Sequence, residues 1–134
     1  MPVIRFFFSI KPGLRIAIVL VYLAIIALLS LLPAYDLPTI PLFTGADKII
    51  HFCMYCGLSF LFCWGASVSP RHVRSLLFIL AGSFLWGALM EVLQRAMHLG
   101  RSFEVADMIA NFAGAAAGLL VYRYFERKRL EETI

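Results

Sequence analysis

Three acids, one histidine, two amides and two cations stand where an apolar chain would carry none: Asp47, Glu91 and Asp107; His51; Gln94 and Asn111; Lys48 and Arg101. These residue types carry recognisable chemistry. An imidazole beside a carboxylate can move a proton, so His51, Glu91 and Asp107 are the candidate catalytic groups. Arginine and lysine can hold phosphate or carboxylate through charge-assisted hydrogen bonds, and the two amides can fix a ligand's orientation. Imidazole and carboxylate are also competent metal ligands, but no H-E-x-x-H or H-x-x-E-H spacing occurs. No nucleophile elbow is present, and Ser102 is the one obvious hydroxyl close by. Neither a metal nor another cofactor is expected.

The elements that must position these residues follow from hydropathy. Of 134 residues 62% are hydrophobic and only 15% charged, whereas soluble domains run nearer half apolar and about a quarter charged. Apolar stretches of about the spanning length, roughly 20 residues, lie near Leu14–Leu32, Ile49–Ala66, Leu76–Met97 and Val105–Tyr122. The first is too long for the apolar part of a signal peptide, and no small-x-small cleavage site precedes the Pro33–Asp36 turn. The expected fold is all-α: a single domain of four transmembrane helices in an antiparallel bundle.

Nine of the 12 Lys and Arg residues flank the spans on one side, ahead of span one, between spans two and three, and after span four. The positive-inside rule therefore places both termini and the middle loop in the cytoplasm. The net charge of +4 is a topology signal with anionic lipid as its counter-charge. The basic residues are split among short flanks and make no single patch, so nucleic acid is not expected as a partner.

That orientation brings the polar residues to one depth. Span two runs inward from Asp47, which suits a helix N-cap, and Lys48, which can snorkel to headgroups. His51 and Tyr55 follow on one face at i, i+4. Glu91 lies about 15 residues into the outward-running span three, a rise of roughly 22 Å, with Gln94 on the same side. Span four turns inward again through Asp107 and Asn111. Each residue has a structural explanation: a cap, an ion pair of Glu91 with Arg95 or Arg101, a helix-dipole acid, an interhelical hydrogen bond. Their number at one level favours a shared site, because a charge at the centre of a spanning helix costs roughly 2.5–3.5 kcal/mol on insertion scales. Ala110, Gly114 and Gly118 recur at i, i+4, i+8, a small-residue stripe that lets helices approach closely and would bring Asp107 and Asn111 against their neighbours. Cys53 and Cys56 fit C-x-x-C, but inside an apolar helix they, like Cys63, read as small hydrophobes. The N-terminal "MPVIRFFFSIKPG" suits a membrane interface.

These same pieces resemble the VanZ-like membrane protein family, named after a glycopeptide-resistance accessory protein: "SLLP" ending span one, "DKIIHFCMY", "EVLQ" and "GRSFEVADMIANFAGAAAG". The family's polar signature falls on Asp47, Lys48, His51, Glu91, Gln94, Arg101, Asp107 and Asn111. Glu104 departs from the small or polar residue expected there, a change of the rim and not of the core. The resemblance implies a small integral membrane protein linked to the cell envelope, in glycopeptide resistance or envelope maintenance, and supplies no established reaction.

Three roles stay open. A binding module would hold a polar or anionic lipid headgroup, or a group of a cell-wall precursor, in a cavity facing away from the cytosol. An enzyme would use His51 with Glu91 or Asp107 on a lipid-linked substrate. A structural or partner-binding protein would use the polar network to fix the bundle. A proton or solute conduit fits less well, because the inner halves of the spans offer no continuing chain of titratable groups. Oligomeric state is not legible.

Overall fold

The computed structural model describes residues 2–33, 43–98 and 104–131. Its elements are all helical: α1 (Pro2–Ser9), α2 (Pro12–Leu31), α3 (Ala46–Gly65), α4 (Val73–Ala96) and α5 (Val105–Glu131). The four after α1 are each long and apolar enough to cross a membrane. Their outer faces carry Leu20, Leu28, Phe78, Leu85, Ile109 and Leu120, all exposed, as expected where lipid and not water is the solvent.

Contacts fix the up-and-down arrangement. Tyr22 donates to the Met54 carbonyl and Arg15 reaches that of Trp64, so α2 and α3 run in opposite directions. His51 meets Asn111, whereas Gly118 faces Cys56, so α3 and α5 run the same way. The closest approach is between these two. A Cβ built on Gly114 would stand 2.1 Å from the Phe52 carbonyl oxygen, and one on Gly118 the same distance from that of Cys56. Nothing larger than hydrogen fits, and the small-residue stripe does what its spacing predicts. Ser59 Oγ adds a 2.7 Å bond to the Ala115 carbonyl across the same seam.

Two apolar clusters fill the interior. One gathers Cys63, Trp64, Ile79, Leu119 and Tyr122 at the end of the bundle near α1; the other, nearer the middle, gathers Ile26, Tyr55 and Leu58 with Tyr22 and Trp86 against them. The helix α1 lies across the first cluster, where Phe7 stacks on Trp64 at 4.3 Å and the Trp64 indole donates to the Phe7 carbonyl at 3.1 Å. Arg15 locks this corner. It is 9% exposed, and it donates to the carbonyls of Phe8, Ile10 and Trp64 and to Ser67 Oγ. Cysteine burial is mixed: Cys63 is buried, Cys56 half-buried and Cys53 exposed, and all three are free thiols.

Candidate functional site

The opposite end of the bundle is where α3 and α5 begin and α4 finishes. Asp47 was expected to cap α3, but the cap position belongs to Gly45, at φ +89, with no side-chain cap bond. Asp47 sits inside the first turn, still placed to favour the positive end of the helix dipole. Lys48 was expected to snorkel; instead its ammonium stands among carboxylates, 2.5 Å from Asp47, 2.5 Å from Glu104 and 2.6 Å from Asp107. These are charge-assisted contacts. Among the described residues three carboxylates surround this one ammonium, an excess of acid immediately around Lys48.

One turn deeper, His51 Nδ1 lies 2.9 Å from Asn111 Oδ1. An amide oxygen can only accept, so Nδ1 carries the hydrogen, and in the neutral ring Nε2 presents its lone pair. Nε2 is 3.8 Å from Asp107 Oδ2, beyond hydrogen-bond range. The other side of the Asn111 amide packs against α4. A Cβ at Gly87 would come within 3.0 Å of Asn111 Nδ2 and 3.2 Å of the Tyr55 hydroxyl, so glycine there lets both side chains reach α4.

The structure therefore brings together Asp47, Lys48, His51, Asp107 and Asn111. Glu91 is buried on α4, one turn from Gly87 and within electrostatic reach of Tyr55. Gln94 is turned toward α2, donating at 2.7 Å to the Ser30 carbonyl, which makes it a tie between α4 and α2. Arg101 and Ser102 lie outside the described residues. Glu104, read from sequence as a change at the rim, is a direct partner of Lys48. Its position just ahead of α5, three residues before Asp107, puts both on one side of the helix start, the signal that could have found it. Asp47, Glu104 and Asp107 each offer an oxygen within 4.8 Å of the others. A metal ion there would compete with the tethered Lys48 ammonium.

The family model described as VanZ/LLP1 matches residues 5–126. The chain belongs to the VanZ/LLP1 family. With its four apolar helices, this VanZ/LLP1 protein is a multi-pass integral membrane protein. It is 30% identical over 117 residues to an uncharacterized protein of Schizosaccharomyces pombe, a match covering 87% of this chain and 67% of that one. No solved structure matches this VanZ/LLP1 chain.

Proposed function

We propose that this membrane protein binds the polar headgroup of a lipid, or the corresponding group of a cell-wall precursor, at the end of the bundle where α3 and α5 begin. The basic flanks support an extracytoplasmic position for that end, in keeping with a role in envelope maintenance or glycopeptide resistance. The observation that carries the reading is the acid excess around Lys48, with the His51 Nε2 lone pair one turn below it. A group bearing only phosphate meets that excess unfavourably. A zwitterionic headgroup meets it well: its ammonium takes the place of Lys48 among the carboxylates, and Arg101, three residues before Glu104 in sequence, is the partner for phosphate. Asn111 and His51 then supply neutral hydrogen bonds at the inner edge.

Native mass spectrometry of the purified protein tests this. Wild type is expected to retain an ammonium-bearing lipid that is lost from Asp107→Asn and His51→Ala. Identical lipid complements in all three proteins overturn the reading.

One observation favours a second reading, an enzyme acting on a lipid-linked substrate. Asn111 orients His51 so that Nε2 is the open position beside Asp107, an arrangement suited to a general base. Turnover of extracted lipids by wild type, lost in His51→Ala, distinguishes it from binding alone.

A further inference from the structure

We infer that the opposite end of the bundle holds a separate site for one anionic phospholipid, with an acyl chain between α3 and α4 and its phosphate on Arg74. An apolar groove of about 300 Å³ lies there, lined by Phe62, Ala66, Val68, Phe78, Ile79 and Gly82. Its walls come from two helices and the loop between them, unlike the hollow of Leu14, Ala17, Ile18, Val21, Tyr22 and Ile25, which a single helix lines. Arg74, Phe78 and Gly82 recur at i, i+4, i+8 and so share one face of α4. The arginine lies one turn before Phe78 on that face, just outside the groove's lining, and Gly82 is about 12 Å from it along the helix. A cation at the rim with an apolar channel leading inward matches a phospholipid's phosphate and tail.

Two further details point the same way. The other arginine of the loop is engaged: Arg71 lies 3.4 Å from Glu126, which also accepts a 3.0 Å bond from Ser69. Among the described residues Arg74 makes no ion pair, and it is exposed. Glycine leaves no side chain at position 82, and packing does not demand that. A Cβ there would meet only Phe62, at an ordinary 3.9 Å. What the missing side chain leaves open is the groove. The proposal does not depend on what the polar end binds.

The test uses the full chain in neutral detergent, titrated with phosphatidylglycerol, phosphatidylcholine or glycerol phosphate, with thermal unfolding and retained lipid as readouts. Phosphatidylglycerol is expected to raise the unfolding temperature of wild type more than phosphatidylcholine does, and to be retained. Arg74→Gln should weaken its effect about tenfold, the size expected for one charge-assisted contact. Gly82→Leu, which fills the groove, should abolish retention, and Ala66→Leu on the facing wall should do the same if the first variant folds poorly. Equal stabilisation of wild type and variants overturns the proposal. So does an equal effect of the two lipids on wild type. A full shift from glycerol phosphate alone also overturns it, because the tail would then be irrelevant.

Discussion

Each end of this bundle holds one cation in a crowd of acceptors, and the two crowds differ in kind. Around Arg15 the acceptors are three backbone carbonyls and a serine hydroxyl, with the Trp64 ring 5.6 Å from the guanidinium. Around Lys48 they are side-chain carboxylates, two of them about half exposed. Carbonyls at helix ends cannot leave without unwinding the helix, so Arg15 is a rivet. Carboxylates on rotatable stems can exchange one cation for another, so Lys48 is a placeholder. The difference teaches where to look for function: at the end whose charges can rearrange.

The joint between the two ends is the most severe place to strike. Gly118→Leu drives a side chain into the Cys56 carbonyl and should cost about 3 kcal/mol, read as early unfolding in a denaturing-detergent titration, with loss of retained lipid. Arg15→Ala should cost about 2 kcal/mol, because it strands several acceptors in a buried corner, while ligand retention at the polar end stays at the wild-type level. An equal loss of retention would show that the two ends are not separable. Trp64→Phe removes the hydrogen bond to Phe7 and keeps an aromatic ring for the stack, so about 1 kcal/mol is expected in the same titration. Lys48→Ala should change stability by less than 1 kcal/mol, as for other partly exposed ion pairs. Its effect should appear elsewhere: with the tethered cation gone, Asp47, Glu104 and Asp107 are free to gather a divalent ion. Manganese binding by electron paramagnetic resonance should appear in the variant and be absent from wild type.

Much of this was legible in the sequence, for reasons that can be named. Apolar runs of spanning length leave few alternatives to four membrane helices, and a small-residue stripe predicts close packing whatever the partner. Asp107 and Asn111 lie beside His51, and the part of that meeting a sequence carries is depth, which helical spacing and span direction fix. What depth does not fix is rotation about each helix axis. Gln94 shares its level with the site yet points to Ser30 on α2. Glu104 looked peripheral because its partner, Lys48, comes from a helix 56 residues away. Arg15 counted as one more basic residue flanking a span; its burial depends on α1 folding back over Trp64, a tertiary event with no local signature.

Gly114 and Gly118 place the backbones of α3 and α5 in direct contact, and Ser59 bolts them together. These two helices therefore behave as a single rigid blade carrying most of the polar residues. The spacing of Asp47, Lys48, His51, Asp107 and Asn111 is therefore set by this backbone seam and not by the connecting loops.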